Sequence, residues 1–272
     1  MERNPGVFRK AGTARAVQWE RAGLEWLASA AAGGGARVVG VVGSDASQLC
    51  IEQISQVAPS AKMAREFGAA LAMTHGAGTG RDTEDGRMSF GLGPIDASGK
   101  AFEGDGLQGP AGEQLALPLA HEGEYTSWGP MFGELRVAPL VRASGDLFDA
   151  DDRALFGRLV ARLRDGAFDD DEPPARVHGD LWAGNVLFDA EGAVLIDPTA
   201  YSGHRLDDIA ALTLFGAPHL ARIIEGYESA HSFSHGWRDL VPLHSLHLVL
   251  LHAALFGGGY AREALEIARR YV

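Results

Sequence analysis

Positive charge is scarce in this sequence and cysteine is almost absent. Lysine and arginine together number 24 against 36 aspartates and glutamates, leaving a formal net charge of −12. An acidic surface repels phosphodiester backbones, so DNA and RNA are not expected partners. The single cysteine, Cys50, has no second thiol to pair with. That fits a reducing compartment, and the expected place for Cys50 is as a small buried hydrophobe. Residues 1–10 lack the apolar core of a signal peptide. The longest apolar stretch near the end, Leu246 to Phe256, is interrupted by His247 and His252 and is short for a bilayer. No Gly-X-Y period accompanies the 36 glycines, which excludes a collagen-like chain. The expectation is a soluble, cytoplasmic protein with no membrane partner.

What is present is enough apolar material for a core: 46 % of 272 residues are hydrophobic, sufficient for one large domain or two lobes. Residues 7–11 read as a short strand and 17–32 as a helix, with Trp19, Gly23, Trp26, Leu27 and Ala30 on one face and Gly33 to Gly35 ending it. Arg37 to Val42 and Gln48 to Ile54 read as two strands around a Gly-Ser-Asp turn. From 60 to 75 the spacing predicts a second helix, with Met63, Phe67, Ala70, Leu71 and Thr74 sharing a side. Residues 76–127 read as a long irregular excursion. Phe132 to Val141 and Asp152 to Arg164 read as helical, 169–174 as a solvated acidic turn, and the chain beyond 205 as helical to its end. There is no internal repeat.

The informative stretch is 177–197, VHGDLWAGNVLFDAEGAVLID. Val186 to Phe188 and Ala193 to Ile196 are short apolar strands around a turn signal, Asp189-Ala190-Glu191-Gly192, and so predict a hairpin. Asn185 precedes the first strand and Asp197 follows the second. Antiparallel pairing brings the two together, an amide oxygen beside a carboxylate, which are hard ligands suited to Mg²⁺. Asp180 lies five positions before Asn185, where a carboxylate can take the proton of an attacking hydroxyl. This spacing is the catalytic-loop arrangement of kinases. His178 is expected to hold the loop by hydrogen bonding rather than to act on substrate.

HGDLWAGN (178–185), LIDP (195–198), SGHRLDDIAALTLFG (202–216) and the tail 247–272 resemble the fructosamine (ketosamine) kinase family, within the aminoglycoside phosphotransferase and protein-kinase-like superfamily. FRK (8–10), ERAGLEWL (20–27), FGAALAMTH (67–75) and WGPMFGELRVAPLV (128–141) match more loosely, and 76–127 lies outside the match. The resemblance implies an α+β, two-lobed, protein-kinase-like fold: a shortened β-rich N-lobe over 1–55 and a mostly helical C-lobe over 56–272 carrying the catalytic loop and metal hairpin. It implies ATP and Mg²⁺ as cofactors. Asp180 is then the catalytic base, Asn185 and Asp197 the metal ligands, and Asp208 a helix carboxylate bracing the loop. Lys10 pairs the α- and β-phosphates, Glu20 positions Lys10, and the backbone at Glu52 and Ile54 pairs with adenine at the hinge. Trp182 stands on the acceptor side, either stacking on a sugar or packing within the fold. The implied reaction is phosphorylation of a glycated amine, free or protein-bound, at the sugar 3-hydroxyl, a deglycation step.

Two departures stand out. Of the residues before Lys10 only Gly6 is glycine, so the family's glycine-rich phosphate loop has no counterpart there, and weaker nucleotide binding is expected. His204 and Leu206 replace acids of the family's Asp-Arg-Glu motif, while Arg205 remains. The other readings are a kinase of a different hydroxylated acceptor, such as an aminoglycoside or amino-sugar, a nucleotide-binding pseudokinase, and a pure binding module.

Overall fold

The computed structural model describes residues 6–80, 88–96 and 98–272. In chain order it contains β1 (Val7–Ala11), α1 (Ala14–Ala28), β2 (Arg37–Val38), β3 (Val41–Ser44), β4 (Gln48–Glu52), α2 (Ala61–Gly76), β5 (Gly106–Gln108) and β6 (Leu115–Leu117). A helical run over 128–143 follows, made of α3 (Trp128–Met131), a wide π-turn and α4 (Ala138–Ala143). Then come α5 (Ala150–Arg164), β7 (Ala175–Val177), β8 (Val186–Asp189), β9 (Gly192–Leu195), β10 (Tyr201–Gly203), α6 (Arg205–Leu214), α7 (Leu220–Ala230), α8 (Trp237–Phe256) and α9 (Gly259–Arg270).

β1, β4 and β3 form an antiparallel sheet in that order, with Lys10 opposite Leu49. Helix α1 packs beneath it. Thr13 caps its start by accepting from the Ala16 N–H. Its five expected core positions are all buried, though it ends at Ala28, ahead of the glycines. The strand expected over 37–42 is two strands. β2 leaves the sheet to pair in parallel with β9, while β3 pairs with β4. Val39 is buried and donates its N–H to Leu195 O, so hydrogen bonds to the distant hairpin outcompete local continuity and the chain breaks at Gly40. Cys50 is half-buried rather than buried. It faces outward from β4, with Arg9 Nη1 3.3 Å from its sulfur.

The C-terminal part is built on helix pairs. α2 crosses α7 backbone to backbone: a Cβ on Gly68 would lie 1.9 Å from Ile223 O, and one on Gly226 1.9 Å from Arg65 O. This close approach turns α2 so that Ala64, Ala72 and His75 join Phe67, Leu71 and Thr74 in the buried face, while Met63 and Ala70 are only half-buried. In the run 128–143, Pro139 has no N–H to offer Leu135 O, which instead accepts from the Arg136 guanidinium at 3.1 Å. Helix α8 extends well upstream of its apolar stretch and is long and apolar enough to cross a membrane by length and composition. It is a core helix here, with Leu243, Leu246, Val249 and Leu250 fully buried.

Two further expectations need correction. The described part of the excursion 76–127 is not loose: Phe90, Leu92 and Leu117 are core residues, and β5 and β6 form a hairpin within it. The acidic turn is not merely solvated. Asp169 accepts from Gly129 N–H at 2.6 Å, Asp170 meets His204 Nε2 at 3.2 Å, and Glu172 pairs with Arg205. Its acids answer basic groups and a helix-start amide that are remote in sequence, and so invisible to a local reading.

Candidate active site

The expected hairpin is present with a tighter turn: Asp189 stands opposite Gly192, and Asp189 Oδ1 accepts from the N–H groups of Glu191 and Gly192. Ile196 N–H donates to Asn185 O at 3.1 Å, so the two chain ends emerge side by side and place Asp197 beside Asn185. Asp197 itself has φ +54, a left-handed backbone that is unfavourable for a non-glycine residue, immediately before Pro198. Gly23 of α1 sits against Pro198, where a Cβ would approach to 3.2 Å, so the helix carrying Glu20 also touches the turn carrying Asp197.

Lys10 joins the two. Its Nζ lies 2.7 Å from Glu20 Oε1 and 2.6 Å from Asp197 Oδ1. Burial works against the ammonium, but the two carboxylates outweigh it and raise the Lys10 pKa. Burial raises the Glu20 pKa despite the lysine.

Asp180 is held by one side-chain donor, Asn185 Nδ2, at 3.0 Å from Oδ2; the same amide donates to Asp180 O at 2.8 Å. Burial, with smaller help from Asp197 and Asp208, pushes its carboxyl up to about 7, against the opposing Asn185 bond. The loop beneath is braced by Asp208, which accepts from His178 N–H at 2.7 Å and Gly179 N–H at 2.9 Å. Gly179 has φ +80, and a Cβ there would meet Thr199 O at 2.2 Å. His178 bonds Ile196 O through Nε2 at 2.8 Å and accepts from Asp180 N–H at 3.3 Å, tying the loop to the hairpin. Burial lowers its pKa, so the ring is neutral.

Sequence reasoning gave His75 no role. From the end of α2 its Nε2 meets Asp208 Oδ2 at 3.0 Å, while its Nδ1 meets Tyr227 OH at 2.8 Å. The signal available was a histidine closing an amphipathic helix. Trp182 is 42 % exposed and lies over Gly184, where a Cβ would fall 2.2 Å from the indole, and it also lines the cleft, so it packs within the fold and stays open to the cleft.

Lys10, Glu20, Asp180, Asn185 and Asp197 line one cleft of about 730 Å³ between the β-rich and helical parts. Glu52 and Ile54 do not. Glu52 N–H donates to Gly40 O, its carboxylate accepts from Gly40 N–H, and Ile54 packs beside the Val17, Leu24 and Leu49 cluster. The far wall of the cleft comes from residues given no site role by the sequence: the β5–β6 turn, outside the family resemblance, and the last turns of α8, including His252 and Phe256.

The family model for fructosamine kinase matches residues 121–272. The chain belongs to the fructosamine kinase family. A solved structure from Thermobifida fusca, assigned as a fructosamine-3-kinase, is similar over 98 % of this chain and 85 % of its own, with 34 % identity and a TM-score of 0.82. The probable ketoamine kinase of Lactiplantibacillus plantarum is 32 % identical over 149 residues, 54 % of this chain and 53 % of that protein. Mouse ketosamine-3-kinase is 29 % identical over 147 residues, 53 % of this chain and 46 % of its own. The matched region thus spans about half the length of these curated relatives. An aminoglycoside phosphotransferase, APH(4)-Ia, shares the fold at TM-score 0.60 and 17 % identity, over 97 % of this chain and 87 % of its own. The fold is therefore protein-kinase-like, as the fructosamine kinase resemblance implied.

Proposed function

We propose that this chain transfers the γ-phosphoryl group of ATP to a sugar hydroxyl of a ketosamine. The observation carrying the proposal is Asp180: a cleft carboxyl with a pKa of about 7, held by Asn185 in the same cleft as the Lys10, Glu20 and Asp197 cluster. A general base is most effective when its pKa lies near the working pH. Ketosamine as acceptor is supported by the names of the mouse and Thermobifida fusca relatives. A nucleotide in the cleft is supported by the APH(4)-Ia neighbour solved with AMP-PNP and hygromycin B.

In the reaction the acceptor oxygen forms a bond to the γ-phosphorus as the bond from that phosphorus to the β,γ-bridging oxygen breaks. ADP leaves, and the hydroxyl proton passes to Asp180. Asn185 keeps the carboxylate aimed by donating to Oδ2. Lys10, steadied by Glu20, supplies positive charge to the phosphates.

The donor set fits Mg²⁺. Asn185 spends its NH₂ on Asp180, which turns its amide oxygen away from that contact, and Asp197 uses Oδ1 for Lys10, leaving Oδ2 without a partner among the described residues. With one amide oxygen and one carboxylate to offer, the pair would leave the ion's remaining positions to phosphate oxygens and water. Asn185 and Asp197 would hold it, and when bound it neutralises charge developing on the phosphates. Phosphorylation at the 3-hydroxyl would make the adduct labile and release the amine, a deglycation step, with free or protein-bound ketosamines as substrates.

The test is ³¹P NMR and mass spectrometry of ATP incubated with fructosyl-amines, ribulosyl-amines and aminoglycosides, with Asp180→Asn as control. ADP and a phosphorylated ketosamine should form with wild type and not with the variant. Equal behaviour of the two proteins on every acceptor would overturn the reading, and turnover confined to aminoglycosides would move it to another acceptor class.

A further inference from the structure

Phosphoryl transfer uses only one wall of the cleft. Leu107 and Pro110 from the β5–β6 hairpin, and Leu251, Leu255 and Phe256 from the end of α8, line the other. That second wall is held in place from both sides. Arg15 on α1 donates to Glu103 O at 3.1 Å and to Asp105 O. Gln108 accepts from buried His247 Nε2 at 2.7 Å and donates to Ala116 O at 2.9 Å. The hairpin is thus clasped to an N-terminal helix and a C-terminal helix at once.

Two properties of this wall point to a ligand. First, Trp182, His252 and Phe256 line the cleft, and a chain of ring contacts joins them: Trp182 to Phe215, which stands behind the lining, at 6.2 Å, Phe215 to His252 at 5.1 Å, and His252 to Phe256 at 5.6 Å. Both ends of this row are open, Trp182 at 42 % and Phe256 at 57 % exposure, although they line a concave surface. Exposed aromatics that share a concave surface mark a binding face more often than isolated ones do. Second, every Asp, Glu, Lys or Arg lining the cleft belongs to the phosphoryl centre: Lys10, Glu20, Asp180 and Asp197. The far wall has none among the described residues. An acceptor bearing several ammonium groups would find no acids there, and one ending in a free carboxylate would find no cation.

We propose that this wall binds the carbon stem of the amine in the ketosamine, so that the enzyme selects adducts of amines with uncharged aliphatic or aromatic stems over adducts ending in charge. The inference rests on the kinase reading of the same cleft, and its test separates the two. Fructose adducts of ethylamine, butylamine and hexylamine, and of free lysine, are titrated calorimetrically into the full chain and then assayed for phosphorylation with ATP. The hexyl adduct should bind about tenfold more tightly than the ethyl adduct, as partial burial of four methylenes implies. The lysine adduct should bind at least several-fold more weakly than the hexyl one. Phe256→Ser, a change at an exposed position, should flatten the series, and Leu255→Asp should do so more strongly. Equal affinity along the wild-type series, or a series unchanged by Phe256→Ser, would overturn the proposal whatever the turnover. A rising series with no phosphorylated product would instead leave the wall standing and remove the kinase reading.

Discussion

Asp208 is fully buried and Asp180 is half-buried in the cleft beside it, yet their proton affinities move in opposite directions. Asp208 receives the N–H groups of His178 and Gly179 and the ring of His75, and these hold its pKa below the usual range against the pull of burial. Asp180 receives one side-chain donor, from Asn185, and burial wins, lifting it to about 7. Burial alone does not decide the charge of an acid; the number of donors that accompany it does. The well-supplied acid becomes a fixed anion that shapes the loop, and the poorly supplied one is able to pick up a proton.

The largest expected effect tests the Asp180 half of that contrast. Asp180→Asn should lower kcat by about 10³-fold or more, while the melting temperature stays within a few degrees, because the lost carboxylate was not a structural anchor. A large loss of stability with modest loss of turnover would reverse the assignment. Asp208→Ala should do the opposite first: about 3–5 kcal/mol of stability lost in denaturant unfolding, since His75 and two backbone donors lose their buried acceptor. Wild-type stability in that variant would show that the brace is dispensable.

Gly179→Ala probes the same brace from the loop side. A Cβ 2.2 Å from Thr199 O on a left-handed backbone should cost about 1–3 kcal/mol and lower kcat through a displaced Asp180, a split readable from unfolding curves and initial rates together. The smallest effect is a pH dependence. Burial lowers the pKa of His178, His244 and His247 in the fold. The unfolded chain therefore binds protons more readily below about pH 6.5, so the stability held above that pH is lost as pH falls towards 5. Melting curves should show Tm falling by roughly 5 °C or more over this interval. The Asp208 contribution, being that of an acid with depressed pKa, should persist until pH drops below the ordinary carboxylate range.

Much of the proposed phosphoryl centre was legible because it is local. Asn185 and Asp197 flank a hairpin whose turn and strand residues are adjacent in the chain, so period and turn chemistry were enough to bring them together. Lys10 and Glu20 were named from resemblance, and the fold pairs them at 2.7 Å. The strand over 37–42 was misread because half of it serves a sheet whose other strands lie beyond residue 185. The acidic turn at 169–174 looked solvated because His204 and Arg205, its partners, are over thirty residues away. The segment 76–127 carries no strong period, and its hairpin earns its place only by packing between α1 and α8.

By itself the sequence determined that a β-ribbon with an amide before it and an acid after it would bring those two side chains together near a further carboxylate, since a hairpin needs only neighbours in the chain. Which acid would hold a proton near neutrality, and what would face it across the cleft, were decided by tertiary structure. Desolvation and donor number are sums over residues that folding alone brings together, from α2, α6, α8 and a hairpin with no motif of its own.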